Sequence, residues 1–414
     1  MRRRVGAIAL VIPLVWALLD GASSASTPPP TPVPPNGSPS PFPTVLETPR
    51  PSTKAPKISA SAAALTDLST GQVLFRKSGT VHRPIASLTK IMTALLVLAS
   101  TRPSERVKVD SEAAGQTGSR LGLASGERIR VGDLLYALLL QSSNDAAVAL
   151  ADHISGSAVP FVHLMNRRAK RIGLGDTRFF SPSGLDDRGY SSALDLASLW
   201  RRAFDNPIFR KIVATKFRTI PAPHGPARHI QNRNALLWLY RGAVGGKSGF
   251  TSAAGHCLVA AARRRGRTLV AVVLGAPRNA FDDAAGLLNY GFVGFQPAEL
   301  VRAGQSLGTI KVRRLAVPVI AGGSLARLTP VAPKHRVSLH LKRKRGLRLP
   351  IAEGQVVGKE IITMNGRVLG SVPAVSAQTV ITTPVELPGL APPRFRPILR
   401  ALEAMGRAVL DAFL

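Results

Sequence analysis

Apolar residues dominate positions 60–65, a polar turn follows at Asp67-Leu68-Ser69-Thr70-Gly71, and apolar residues return within 72–75. Two short runs divided by such a turn predict a β-hairpin. The segment 87–98, Ser-Leu-Thr-Lys-Ile-Met-Thr-Ala-Leu-Leu-Val-Leu, is apolar on nearly every face after its first turn. A helix of that kind belongs inside a domain. Helical patterns recur at 131–153 and 194–204, and residues 258–262 and 268–275 then read as two adjacent strands joined by the basic turn 263–267. Strands at both ends with helices between them predict an α+β domain whose terminal strands share one sheet.

Around residue 296 the periodicity changes. Short alternating segments at 308–312, 316–320 and 337–341 replace the helices, and a related turn occurs twice, as Gly304-Gln305-Ser306-Leu307-Gly308 and Gly354-Gln355-Val356-Val357-Gly358. Two such turns fifty positions apart predict a small β-domain of repeated hairpins. The run Lys342-Arg343-Lys344-Arg345 lies within it and reads equally as a charged, solvated hairpin edge or as a binding patch. At the end of the chain Ile398, Leu402, Met405, Val409 and Phe413 recur at helical spacing, with Arg400, Glu403, Arg407 and Asp411 opposite them. That pattern predicts an amphipathic helix, able to lie in a membrane interface or to pack on the β-domain.

The first residues bear on compartment. Arg2, Arg3 and Arg4 precede an apolar run from Val5 to Leu19 and then small residues, as in a secretory signal cut after Ala25, with an uncleaved anchor as the alternative. Residues 26–57 are rich in Pro, Ser and Thr, which predicts an extended spacer. The expected layout is therefore signal 1–25, linker 26–57, α+β domain 58–295, β-domain 296–390 and amphipathic helix 391–414, all of it exported after the signal.

Composition adds one strong bias. The chain of 414 residues has 55 Lys and Arg against 23 Asp and Glu, a net charge of +32. Such a field favours anionic partners: nucleic acid, acidic lipid headgroups or a wall polymer. No zinc-finger spacing, aromatic RNA-binding pattern or phosphate loop accompanies the charge, so nucleic acid is not the expected partner. The single cysteine, Cys257, sits in an apolar run and reads as a small buried residue.

Three short motifs carry the chemistry: Ser87-Leu88-Thr89-Lys90, Ser142-Ser143-Asn144 and Lys247-Ser248-Gly249. A serine hydroxyl needs a base to become a nucleophile. Three-residue spacing on a helix puts Lys90 one turn above Ser87, on the same face. Burial and a second cation, for which Lys247 is the candidate, would lower the lysine pKa enough for that role. Ser142 and Asn144 follow the apolar stretch 134–140 at a break between helices, where they can relay a proton and hold a peptide group, or simply cap a helix. Gly249 would let a substrate backbone approach the strand edge, and Lys247 and Ser248 would bind a carboxylate. Alone, that last motif is a glycine-rich turn.

Together the ordered set is that of penicillin-recognising serine enzymes. The stretch 58–295 resembles the D-alanyl-D-alanine carboxypeptidases of the low-molecular-mass penicillin-binding proteins, with support from Gln141-Ser142-Ser143-Asn144-Asp145-Ala146 and Asn232-Arg233-Asn234. The resemblance implies a penicillin-binding, β-lactamase-like fold with a sheet flanked by helices, followed by the family's β-domain and anchor. It implies Ser87 as acylated nucleophile, Lys90 as base, Ser142 as proton relay and Asn144 as a ligand of the substrate amide. Lys247, Ser248 and Arg233 would meet the substrate carboxylate, and the backbone N–H groups of Ser87 and Phe250 would form the oxyanion hole. The implied partners are peptidoglycan stem peptides, β-lactams as covalent inhibitors and an anionic membrane surface or wall polymer; no metal or cofactor is required. Among rivals, a β-lactamase of the commonest class would use a glutamate between the second and third motifs, and none occurs between Asn144 and Lys247. A D,D-endopeptidase shares every catalytic residue. A non-catalytic wall-binding protein would be expected to have lost one of the hydroxyls or lysines.

Overall fold

The structure, a computed structural model, describes residues 53–223, 225–331 and 336–381. The expected signal, nearly all of the linker and the amphipathic run lie outside the described residues. Those described form two compact units, 55–289 and 290–381, the latter with residues 53 and 54. The division falls inside the helix Phe281–Gly294, a few residues before the change of pattern at 296.

In the first unit the hairpin Ala62–Asp67 and Val73–Lys77 joins the late strands Ala243–Thr251, Gly255–Arg264 and Arg267–Ala276 in one five-stranded sheet. Strand Ala62–Asp67 pairs antiparallel with Arg267–Ala276, Ala63 opposite Val273, so the two ends of the unit meet in the sheet. Ala243–Thr251, which carries the third motif, is one of its two edge strands, Val73–Lys77 being the other. Alternate residues of the central strands enter one apolar core with Ile91, Met92, Leu134, Leu138, Phe161 and Trp200 of the helices.

The sequence element 87–98 differs from a single α-helix. Ala86–Thr89 is a 3-10 turn, and the α-helix runs Lys90–Ser100. The helical region 131–153 is also interrupted: α-helix Val131–Tyr136, a π-turn at Ala137–Gln141, then α-helix Asn144–Ser155. A π-turn inserts one residue into the helical ladder, a device common at functional sites. Here it ends with Ser142 in the left-handed region at φ 69°.

The second unit is all β apart from the end of the helix shared at the division. Strands Ser306–Val312, Leu315–Ala321, Arg367–Ser376, Val356–Met364 and Val337–Arg343 form one sheet in that order, beside the pair Phe295–Val301 and Leu325–Pro330. The repeated turn is structurally repeated. Gln305 and Gln355 each accept, through the side-chain oxygen, the backbone N–H three residues earlier, at 3.1 and 3.0 Å. Each opens a hairpin with a register shift at its first residues, and the hairpins pair through Ile320 opposite Val375, flanked by Val319–Ser376 and Ala321–Ala374. That register is what a local two-fold axis between two copies requires. Lys342 and Arg343 fall on the edge strand Val337–Arg343, and Lys344 and Arg345 follow it; all four are exposed.

Candidate active site

A 3-10 turn has three residues per turn, so side chains at i and i+3 are in line. The Lys90 Nζ accordingly lies 2.8 Å from Ser87 Oγ. It also donates to Asn144 Oδ1 at 2.7 Å and to the Ser183 carbonyl at 2.6 Å. Lys90 is fully buried. Burial first, and the Arg233 guanidinium second, lower its pKa to about 7, against the opposing pull of the Asp145 carboxylate.

This geometry dictates what a neutral Lys90 can do. An amide oxygen and a carbonyl can only accept, so both N–H bonds of the amine point to them. The remaining lone pair faces Ser87, whose O–H can donate into it. That is the arrangement of a general base beside its nucleophile.

The second motif meets the third. Lys247 Nζ donates to Ser142 Oγ at 2.9 Å and to the Ser248 carbonyl at 2.6 Å. It is 1 % exposed, and burial, then Lys90, then Arg233 hold its pKa well below the ordinary value. Ser142 reaches it because the left-handed turn swings its side chain out of the helix path. Asn144 is fixed at both ends, its Nδ2 donating to the Thr117 carbonyl at 2.7 Å and its backbone N–H to the Ser119 carbonyl at 2.7 Å. Arg233 donates through Nη1 to Ser119 Oγ at 2.8 Å, and burial lowers its pKa. Ser87, Lys90, Asn144 and, through Ser119, Arg233 form one hydrogen-bonded group and Ser142 with Lys247 a second, the two coupled by the electrostatic influence of Lys90 and Arg233 on Lys247. Ser248 is half-buried beside Lys247.

Gly249 and Phe250 follow on the same strand. A Cβ on Gly249 would stand 3.0 Å from the Ser87 backbone nitrogen and 3.2 Å from the Ile85 carbonyl oxygen. The absent side chain makes room for the turn that carries Ser87. Phe250 is 58 % exposed, and its ring packs on His256 across the strand pair at 4.6 Å.

With this geometry in place, comparison with known proteins is direct. The family model described as D-alanyl-D-alanine carboxypeptidase matches residues 50–278, more than half of the chain. The chain belongs to that family. It is 30% identical over 331 residues to the D-alanyl-D-alanine carboxypeptidase DacF of Bacillus subtilis, covering 77% of this chain and 85% of that one. It is 36% identical over 329 residues to DacD of Escherichia coli, covering 74% and 83%. Among solved structures, penicillin binding protein 5 from Haemophilus influenzae superposes with a TM-score of 0.66 at 30% identity, covering 80% of this chain and 99% of that one. The protein is therefore a peptidase, a hydrolase of the penicillin-binding type, and both units share in the likeness.

Within this family site several residues escaped the sequence reading. Asp145 accepts the backbone N–H groups of Leu121, Gly122 and Leu123 at 2.9–3.2 Å, pinning the segment that holds Asn144. Ser119 links Asn144 to Arg233. Ser183 supplies the third partner of Lys90, and Gly184 is what lets it do so: at φ +79°, a Cβ there would overlap the Ala86 carbonyl oxygen. Only the Ser-Pro-Ser-Gly composition of 181–184 marks that loop, and such a loop has many uses. Among the described residues no group of three or more His, Cys, Asp and Glu could hold a metal ion.

Proposed function

We propose that this protein is a serine-type D-alanyl-D-alanine carboxypeptidase that removes the terminal D-alanine of peptidoglycan stem pentapeptides through an acyl-enzyme at Ser87. The observation that carries the reading is the placement of a buried Lys90 amine on Ser87 Oγ with its two N–H bonds occupied elsewhere.

In the first step Ser87 gives its proton to Lys90 and attacks the carbonyl between the two D-alanines. The developing oxyanion is received by the backbone N–H groups of Ser87 and Phe250. The proton that Lys90 has taken passes through Ser142, which Lys247 holds in place, to the departing amine, so Lys90 and Ser142 end the step as they began it. Asn144 holds the substrate amide, and Lys247, Ser248 and Arg233 face the terminal carboxylate. Lys247 is poised for that ligand: its cation is disfavoured in the free site, and an arriving carboxylate favours it. Water then hydrolyses the ester by the same groups in reverse. A β-lactam acylates Ser87 because its strained amide resembles the scissile bond. The enzyme acts after export, on the outer face of the cytoplasmic membrane beneath the wall, where its positive charge favours an anionic surface. Among the described residues no helix is long and apolar enough to cross a membrane.

The test is intact mass after incubation with penicillin, followed by release of D-alanine from a pentapeptide. A single adduct in the wild type, none in Ser87→Ala, and D-alanine release only by the wild type are expected. A folded wild type without an adduct would sink the reading. Penicillin adduct without D-alanine release, but with cleavage of cross-linked dimers, would favour the endopeptidase.

A further inference from the structure

We propose that one end of the β-unit is a docking surface for anionic lipid headgroups, formed by Arg313, Arg314, Arg343, Lys344, Arg345 and Arg348. The proposal is independent of the chemistry assigned to Ser87.

These side chains come from two places in the sequence and are brought together by the fold. Arg313 and Arg314 form the tip between strands Ser306–Val312 and Leu315–Ala321. Arg343 ends the opposite edge of the same sheet, yet its Nη1 donates to the Lys311 carbonyl at 2.6 Å. The sheet is therefore curled enough for its two edges to meet at this end. All six cations are exposed, and among the described residues none has an ion-pair partner. The described acids of the unit are Glu299, paired with Arg302, buried Glu360, and Glu353 in the loop that follows Arg348.

Two features count against a merely solvated face. Lys342 stands directly opposite Lys359 in the strand pair, a like-charge contact that destabilises a free sheet. The internal duplication supplies the second. The tip equivalent to Arg313-Arg314 in the other copy is Asn365-Gly366, the residues such a tight turn prefers. Arg313 takes the left-handed conformation, φ 54°, that Asn365 takes at 49°. An arginine there gives up turn preference and adds charge.

The occupant follows from where the chain goes. Strand Arg367–Ser376 runs antiparallel to Leu315–Ala321, so its continuation heads toward the Arg313-Arg314 tip. Ala377 N–H donates to the Pro318 carbonyl, and Val380 pairs with Ile351, beside Arg348. The last described residue, Ile381, is 62 % exposed at this same end. Residues 382–393 then lead to the amphipathic run at 394–414. A basic surface at the root of an amphipathic tail meets the same lipid surface as the tail, which is why lipid is favoured over a soluble polyanion.

The experiment uses the full chain and vesicles of phosphatidylcholine with or without phosphatidylglycerol. The variant Arg313→Gln/Arg314→Gln/Lys344→Gln/Arg345→Gln is compared with Arg167→Gln/Arg171→Gln/Arg202→Gln/Arg263→Gln, which removes as many exposed charges from the first unit. Far-UV circular dichroism and thermal melting verify that both units of each variant are folded. Binding of the first variant to the anionic vesicles should weaken on the order of tenfold or more at low salt, while the second changes far less. Binding to neutral vesicles should be alike for all three. Wild-type binding by the first variant, or equal losses in both, would overturn the proposal. So would loss of binding to poly(glycerol phosphate) with vesicle binding intact, which would assign the surface to a wall polymer.

Discussion

The two units use the same side chains in opposite ways. In the α+β unit Lys90 and Lys247 are buried, bonded to serine hydroxyls, and pushed toward the neutral amine. In the β-unit the six cations of the basic end stand in water, with no ion-pair partner among the described residues. Solvation decides the role. A lysine can exchange protons near neutral pH only after burial has disfavoured its charge, whereas a cation meant for a surface must keep its charge and its reach. The contrast extends to the backbone, where a left-handed residue in the first unit is wedged against the site and one in the second faces open space.

That backbone contrast gives the largest expected effect. Gly184→Ala must displace the turn that carries Ser87, because the new Cβ would overlap the Ala86 carbonyl. Overpacking together with a left-handed alanine should cost about 3–5 kcal/mol. A displaced nucleophile should lower the rate of penicillin acylation at least about 100-fold. Gly354→Ala, at φ +75° with nothing near its Cβ, should cost only about 1–2 kcal/mol and leave acylation untouched. Melting temperature and acylation rate for the pair read both outcomes. Equal behaviour of the two variants would remove the distinction.

Burial of Lys90 makes the second prediction. With its pKa near 7, acylation should fall about tenfold per pH unit below that value and level off above it. Stability follows the same proton. The unfolded lysine titrates near its ordinary 10.5, so between about 7 and 10.5 the unfolded state holds the extra proton and stability rises with pH. Below 7 both states are protonated and the full penalty of the buried charge remains. Relative to Lys90→Met, the wild type should therefore gain up to about 1.4 kcal/mol per pH unit within that window. Chemical denaturation at pH 6, 7.5 and 9 checks it, and a constant difference would contradict a neutral Lys90. Removing the nearby guanidinium in Arg233→Gln should move the acid limb of the acylation profile to higher pH, since Arg233 helps to lower the Lys90 pKa. The shift is smaller than the loss from acidification itself, and an unmoved limb would leave Arg233 with the carboxylate alone.

The sequence makes the order of elements and the three motifs legible because both rest on local signals. Apolar runs of strand or helix length give the hairpin, the buried helix and the late strands. Serine, lysine and asparagine at short spacings give the residues that meet in the candidate site. The 3-10 turn at Ser87 and the π-turn before Ser142 are not legible, because the same residues are good α-helix formers and only tertiary contacts impose the tighter or wider winding. Nor is the closeness of Gly249 to the Ser87 turn legible, because a missing side chain shows that something comes close but not what. Gly184 and Ser183 act through partners about ninety residues away, with no periodic trace. The repeated Gly-Gln turn, by contrast, could be read, since a glutamine that ties back its own turn is a local device.

The smallest effect separates the units. Glu360 is 3 % exposed on the inner side of the β-unit, and its Oε2 has no hydrogen-bond partner among the described residues. Burial raises its pKa, partly offset by His340. A carboxyl with a raised folded pKa contributes fully only below its unfolded value, and that contribution fades as pH rises through the folded one. Above its unfolded pKa this burial therefore costs stability, as burial of Lys90 and Lys247 does, but Glu360 lies in the other unit from Ser87. Glu360→Gln keeps the shape and removes the charge. It should stabilise the β-unit by about 1 kcal/mol at pH 7 and hardly at all at pH 4. Thermal melting at the two pH values reads that difference, and penicillin acylation should stay at the wild-type rate. A slower acylation would mean that the β-unit's interior reaches Ser87, and that the contrast between a unit that uses its buried charge and one that merely carries it is false.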